Sequence, residues 1–378
     1  MNAPKAKRSV PVTAGPEDPL KIALPLLDWY GREGRELPWR DTGDPYLILV
    51  SELMLQQTRV STVLNYYPRF IAQFPTLESL AAASEEEVLA QWSGLGFYRR
   101  ARNLHACAKE IVEHFDSRLP QDPQRLGALP GIGRYTLGAI LSAAFNQALP
   151  ILDGNVARVF SRVYCIPGDP RSSGVQKRLW ELAELALPQD RPGDFNQALM
   201  DLGATVCKPR SPDCPSCPIT DLCGARLDGC PESFPHAKRK QKVRHCKRVA
   251  VFIPRADGAF LLHQRPAQGL LAGMWEAPSL ELAAGDSVTA QKTRLSRELQ
   301  LSGRFSSCGT SEHRFSHRHW STRIYRTEEQ TEEQLPRTWQ DRPLRWTHPH
   351  ELNSLALPEA TSKILRSCLP QGATSKPI

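Results

Sequence analysis

The sequence predicts a multidomain chain: an all-α domain that closes on a metal-binding cysteine loop, then a smaller α+β domain. Three observations carry this. From Leu20 to Cys223 apolar residues recur at three-to-four spacing with no alternating stretch of useful length, the mark of amphipathic helices. Cys207, Cys214, Cys217 and Cys223 stand at C-x6-C-x2-C-x5-C, and thiols this dense, with no sign of secretion, suit a metal better than disulfides. Beyond Arg248 alternating runs mix with helical ones, as in an α+β domain. At 378 residues the chain has room for two or three domains with cores of their own.

The elements follow in order. Met1 to Pro19 is polar, holds Pro, Lys and Arg and lacks an apolar core segment, so 1–19 reads as a disordered tail and not as a signal peptide. Helical periodicity marks Pro45–Phe70, Glu85–Trp92, Arg99–Phe115, Tyr135–Phe145, Gly154–Cys165, Gln176–Leu187 and Phe195–Cys207. Asp44-Pro45 is a cap with proline in the first turn, and Leu187-Pro188 a stop. These belong to a helical domain over 20–230. A linker over 231–247 holds most of the basic run Lys238–Arg248, which reads as solvated, with a DNA-backbone contact or a localisation signal as alternatives. The α+β domain covers 248–370. Arg248–Pro254 and Ala259–Arg265 are strand-like and joined across Asp257-Gly258, a hairpin signal. Val288–Leu301 reads as a helix, Glu312–Arg326 alternates, Pro358–Cys368 closes as a helix, and 371–378 is a tail. The net charge of +8 is compatible with a polyanionic partner. No apolar run approaches the roughly 18 residues of a membrane span.

Several residues carry chemistry. Structural zinc usually draws on two close-spaced pairs, whereas here only Cys214 and Cys217 form a C-x-x-C. Four thiolates spread around one short loop suit a 4Fe–4S cube. The spacing favours iron–sulfur, and zinc stays open. The same loop holds Lys208 and Arg210 out as phosphate contacts. In Leu129-Pro130-Gly131-Ile132-Gly133, Gly131 and Gly133 flank an apolar anchor and expose N–H groups at a helix start, an anion site. This reads as a helix-hairpin-helix gripping a nucleic-acid backbone, against an ordinary helix–helix turn. Glu52 lies in an apolar helix where an acid has no structural purpose. Burial would lift its carboxyl above about 4.3 and let it donate a proton near neutrality. The alternative is a polar stripe shared with Gln56 and Arg59, and both readings stand. Asp153, before Gly154-Asn155, reads as an N-cap, a role compatible with an ionised carboxylate facing a developing cation.

Ser51-Glu52-Leu53-Met54-Leu55-Gln56-Gln57-Thr58, Gly94-Leu95-Gly96-Phe97-Tyr98, Leu129-Pro130-Gly131-Ile132-Gly133-Arg134-Tyr135-Thr136, Ile151-Leu152-Asp153-Gly154-Asn155-Val156 and the four cysteines occur in the order found in adenine DNA glycosylases of the MutY type. From about Leu20 to Leu369 the chain resembles that family. The resemblance implies a monofunctional enzyme excising adenine mispaired with 8-oxoguanine or guanine in double-stranded DNA. It implies a monomer in the bacterial cytoplasm, on the nucleoid, with a 4Fe–4S cluster on Cys207, Cys214, Cys217 and Cys223. Glu52 would protonate adenine N7, Asp153 would stabilise an oxocarbenium-like sugar, and Tyr135 and Asn155 would orient the two acids. Trp39, Arg40 and Gln197 match adenine-pocket positions. Gln57, Thr58 and Leu95 match contacts to the opposite strand, and Phe97 stands where a tyrosine wedge is usual. Endonuclease III-like members of the wider helix-hairpin-helix superfamily carry a lysine at the position of Tyr135, whose amine forms a Schiff base. Tyrosine cannot, so base removal without strand cleavage is expected.

The C-terminal domain resembles a Nudix-like domain at Leu270-Leu271-Ala272-Gly273-Met274-Trp275-Glu276-Ala277-Pro278 and at Phe315-Ser316-His317, which would check for 8-oxoguanine. Its helix Arg294–Leu301 lacks the adjacent glutamate pair that holds Mg²⁺, so nucleotide hydrolysis is not expected. His313, His317 and His319 share one face of the alternating run with Glu312 on the other, and a metal site there is disfavoured. Two competing readings are a bifunctional endonuclease III-type enzyme acting on oxidised pyrimidines, and a catalytically silent iron–sulfur DNA-binding regulator.

Overall fold

The computed structural model describes residues 15–40, 42–236, 243–315 and 317–369. Residues 1–14 of the expected N-terminal tail, Asp41, 237–242 of the expected linker, Ser316, Pro370 and the expected tail 371–378 lie outside the described residues. The helices are α1 Ala23–Glu33, α2 Pro45–Leu55, α3 Val60–Gln73, α4 Leu77–Ala82, α5 Glu85–Trp92, α6 Arg99–His114, α7 Pro123–Gly127, α8 Arg134–Phe145, α9 Gly154–Val163, α10 Ser173–Leu185, α11 Pro192–Asp201, α12 Gly224–Leu227, α13 Val288–Glu298 and α14 Glu359–Cys368. The strands are β1 Arg244–Phe252, β2 Phe260–Gln264, β3 Trp275–Glu276, β4 Ser279–Glu281, β5 Ser306–Arg314, β6 Arg318–Arg326, β7 Thr338–Trp339 and β8 Arg342–Thr347. The chain packs as two compact units. One draws on Met1–Tyr67, Thr76–Glu78 and Ala106–Arg239, the other on Pro68–Pro75, Ser79–His105 and Lys240–Ile378, as far as these are described.

In the first unit α2 decides where the chemistry falls. Tyr46, Ile48, Leu49, Val50, Leu53 and Met54 are all buried around it, and a helix apolar on every side has no solvent face. It is a central helix, packed on α8, and it carries Glu52 inside. Its cap is the expected one, Asp44 accepting from Tyr46 N at 2.8 Å. The single segment expected over Pro45–Phe70 is two helices. Gln57 takes a φ of 59°, a left-handed conformation costing a non-glycine residue roughly 1 kcal/mol or more, and ends α2 before α3 begins. Periodicity does not see this break, because Leu53 and Val60, seven residues apart, would still share one face of a continuous helix. The segment expected over Phe195–Cys207 is α11 followed by a π-helical turn, Leu202–Val206. Ile22, Leu26, Trp29, Phe160, Phe195 and Leu199 form the core on which α1, α9 and α11 meet.

The second unit holds two four-stranded sheets, ordered β4-β1-β6-β5 and β3-β2-β8-β7. β1 and β6 run parallel, Arg244 opposite Arg318 through Phe252 opposite Arg326. Parallel strands need cover on both faces. Ala250 and Phe252 enter one core with α14, Val249 and Val251 the other with α13. Before the basic run, 79–105 belongs to this unit too: Ser93 Oγ donates to Leu357 O at 2.6 Å and Trp275 Nε1 to Glu86 at 3.0 Å.

Two expectations for this unit need correction. The hairpin across Asp257-Gly258 forms only at its tip, where Arg255 N donates to Ala259 O and Leu261 N to Ile253 O. Beyond it, β1 and β2 part into different sheets. The alternating run Glu312–Arg326 is two strands, β5 and β6, folded back where Phe315 N donates to Arg318 O at 2.7 Å. The fold-back breaks the shared histidine face. His313 pairs with Trp320 and Arg314 with His319, so His313 and His319 project to opposite sides. Glu312 falls on the His319 side, 2.7 Å from its Nε2.

Candidate active site

A cavity of about 1570 Å³ opens in the first unit. Trp39, Arg40, Glu52, Tyr135, Asp153, Asn155 and Gln197 line it, and Gln57, Thr58, Gly131 and Gly133 lie along its wall. Residues far apart in sequence thus converge on one space.

Glu52 reaches the cavity from α2. It is 7% exposed and its Oε2 has no hydrogen-bond partner. Burial pushes its carboxyl from the ordinary 4.5 up to about 7, the negative charge of Asp153 adds to the rise, and the Tyr135 hydroxyl and Arg40 oppose it. A solvated stripe with Gln56 and Arg59 is therefore excluded. Asp153 caps α9, accepting from Val156 N at 2.7 Å and from Asn155 Nδ2 at 3.0 Å. Burial raises this carboxyl too, against those hydrogen bonds and the Arg158 charge. Burial and the two carboxylates also push the Tyr135 phenol well up, so it stays neutral, donating to Met200 Sδ at 3.2 Å.

The expected pocket residues divide. Trp39 is buried, edge-on to Tyr67 with ring centroids 5.2 Å apart. Gln197 accepts from the Tyr30 hydroxyl at 2.8 Å. Arg40 lines the cavity but commits its guanidinium to Asp201, with Nη1 and Nη2 each at 2.8 Å. Arg35 shares that fully buried carboxylate. Burial would raise Asp201, yet the two arginines outweigh it and hold its carboxyl below the usual range. What Arg40 offers Glu52 is its charge.

The hairpin forms as expected. Leu129 and Ile132 are buried anchors. Gly131 has φ 84°, a conformation only glycine adopts cheaply, and Gly133 caps α8 with its backbone. In the second unit Phe97 is exposed with φ 49°. Leu95 is buried, and its N–H donates to Trp92 O at 3.0 Å.

Cys207, Cys214, Cys217 and Cys223 line one small cavity with Arg162 and Arg226. Among the described residues no three His, Cys, Asp or Glu side chains converge as a single-ion site. Burial pushes the Cys217 thiol up to about 12 and Cys223 to about 11, so metal binding there must release protons. Lys208 and Arg210 are exposed beside it. Sequence reasoning missed two arginines that tie this loop to α9. Arg162 donates to Cys207 Sγ at 3.2 Å, to Lys208 O and to Pro209 O. Arg158 donates to Cys207 O at 2.8 Å, to Gly203 O at 2.6 Å and to Asn155 Oδ1 at 2.9 Å. A hydrogen-bonded path therefore runs from the cysteine loop through Arg158 and Asn155 to Asp153. Gly203 permits it, since a Cβ there would lie 2.6 Å from the Asn155 Cβ. The signal was the i, i+3, i+7 spacing of Asn155, Arg158 and Arg162 on one helix face.

A helical hairpin beneath a cavity lined by two carboxylates defines a base-excision class of DNA repair protein, and the comparisons agree. Residues 50–185 match the family model described as HhH-GPD superfamily base excision DNA repair protein, and 249–367 match that of the NUDIX domain. A solved thermostable thymine-DNA glycosylase aligns with TM-score 0.51 and 30% identity, over 56% of this chain and 98% of that one. The adenine DNA glycosylase of Homo sapiens is 38% identical over 400 residues, 90% of this chain and 72% of its own. That of Rattus norvegicus is 38% identical over 398 residues, 90% and 76%. The chain belongs to the adenine DNA glycosylase family. Its fold is the expected helix-hairpin-helix glycosylase domain followed by a Nudix-like α+β domain. No described helix is long and apolar enough to cross a membrane.

Proposed function

We propose that this glycosylase removes adenine opposite 8-oxoguanine or guanine in duplex DNA, leaving the strand intact. The observation that carries the reading is the buried Glu52 carboxyl at about 7 on a cavity shared with Asp153. Adenine inside a duplex is out of reach, so it is flipped into the cavity at an unstacking cost of a few kcal/mol. Glu52, protonated near neutrality, gives its proton to adenine N7 and makes the base a leaving group. The glycosidic electron pair departs with the base, and the oxocarbenium-like sugar left behind faces the Asp153 carboxylate until water adds at C1′. Asn155 holds Asp153 in place. Tyr135 offers no amine for a Schiff base, which argues against the bifunctional alternative.

The hairpin amides at Gly131 and Gly133, with Lys208 and Arg210, would take DNA phosphates. Phe97 would wedge into the stack, Gln57, Thr58 and Leu95 would meet the opposite strand, and Phe315, Ser316 and His317 would check for 8-oxoguanine. Cys207, Cys214, Cys217 and Cys223 would hold a 4Fe–4S cluster. Four thiols around one cavity, with only one C-x-x-C pair among them, fit a cube better than one zinc ion. When bound, the cluster supplies a rigid brace for the basic loop.

Duplexes with adenine opposite 8-oxoguanine, guanine or thymine test the proposal. Abasic sites should form opposite the first two and become breaks only after alkali. Strand scission without alkali, or an enzyme–DNA adduct trapped by borohydride at the turnover rate, would refute it.

A further inference from the structure

The Phe315 turn is seated on a buried ionic assembly. Trp320, 3% exposed, meets the Phe315 ring edge-on with centroids 4.7 Å apart. Its face is covered by the Arg248 guanidinium, 3.9 Å from the ring centroid. Arg248 is itself 5% exposed and cannot swing away. Its Nη2 lies 3.3 and 3.2 Å from the two Glu276 oxygens and also donates to Ser279 Oγ. Glu276 further accepts from Arg265 Nη1 at 2.6 Å, and Arg265 Nε donates to Leu270 O at 2.9 Å. Leu270, Leu271 and Phe315 each pack against the small core of Cys246, Trp320 and Ala360. The Trp320 ring, through Arg248, and the Leu270 carbonyl, through Arg265, thus both hang on one carboxylate. Burial alone would push Glu276 up, but Arg248, His263 and Arg265 outweigh it and hold it well below the usual range.

Buried ion networks are weak contributors to stability, because desolvation offsets their attraction and apolar groups of similar volume often do as well. What a guanidinium provides here is a flat cation held over an aromatic face, which fixes ring orientation. We propose that Arg248, held by Glu276 and lying over Trp320, is a positioning residue for opposite-base discrimination, setting the Trp320 ring and through it the Phe315 turn. This rests on the reading that the Phe315 turn recognises 8-oxoguanine.

Single-turnover excision with adenine opposite 8-oxoguanine and opposite guanine, titrated with protein, yields a limiting rate and a half-saturation concentration for each duplex. Arg248→Met with Glu276→Gln removes both buried charges together. The limiting rate opposite guanine should be retained while the half-saturation preference for 8-oxoguanine falls about tenfold. Hydrogen exchange should quicken around Phe315 without loss of protection in β1 and β6. Arg248→Lys keeps the charge beside Glu276, and with it the fold, but withdraws the planar group from Trp320; it should lose preference in the same direction by about threefold. Phe315→Ala is the calibrating variant. If it loses preference while both Arg248 variants keep theirs, the inference is overturned and the reading of the turn stands. If Phe315→Ala keeps full preference, that reading fails and the inference falls with it. Equal losses opposite 8-oxoguanine and guanine would mark general destabilisation and would also overturn it.

Discussion

An acid buried to hold its proton must destabilise the fold whenever the proton is lost, and Glu52 sets the size of that effect. Its carboxyl rises from 4.5 unfolded to about 7 folded. Between these values the native state binds more protons than the unfolded one, so stability falls as pH rises through the interval and levels off above it. At about 1.36 kcal/mol per pH unit, the rise corresponds to about 3 kcal/mol at pH 8.5. Glu52→Gln removes the titration and keeps the shape. Any cost of placing an amide there is independent of pH, so the difference between the two proteins should change with pH by that amount. Urea unfolding of both proteins at pH 4.5, 6, 7 and 8.5, followed by a probe in the helical unit, measures it. The variant should gain relative to wild type by about 3 kcal/mol across the range, with most of the change between pH 5 and 7. Parallel stability curves would refute the buried-acid argument, whatever the enzyme's activity.

Other consequences are as direct. Asp201→Ala strands Arg35 and Arg40 beside a vacated buried site and should cost about 3–5 kcal/mol, read as a lowered denaturant midpoint. Arg158→Ala cuts the path from the cysteine loop to Asn155 and should slow single-turnover excision about tenfold or more, with duplex affinity nearly kept; an unchanged rate would make the path merely structural. Freshly purified protein should carry about four irons, whereas stoichiometric zinc after anaerobic handling would contradict the cube.

Legibility in the sequence followed the range of the interactions. The Asp44 and Asp153 caps, the glycines of the hairpin and the helices from Arg134 to Leu185 rest on neighbours within a few residues, and periodicity and cap chemistry found them. The burial of Glu52 was half legible: the apolar run around it was visible, but the choice between pocket and polar stripe depended on α2 being covered on every side. The break at Gln57 was hidden because a left-handed residue leaves no trace in hydrophobic spacing. The fold-back at Phe315 was hidden because the residues on either side of it alternate, and the change of parity that parts His313 from His319 shows only once the strands are paired. Asp201 was missed because its partners, Arg35 and Arg40, lie at the other end of the domain, and the commitment of Arg40 to it could not be read from either segment.

The central claim is that Glu52 delivers the proton that releases adenine, and single-turnover excision by Glu52→Gln tests it most directly. Glutamine keeps size and hydrogen bonding but has no proton to give. The variant should bind the duplex with adenine opposite 8-oxoguanine at near wild-type affinity and excise at least about a hundredfold more slowly. The wild-type rate should fall as pH rises through about 7. Wild-type excision by Glu52→Gln, with affinity unchanged, would contradict the account and move the acid elsewhere in the cavity.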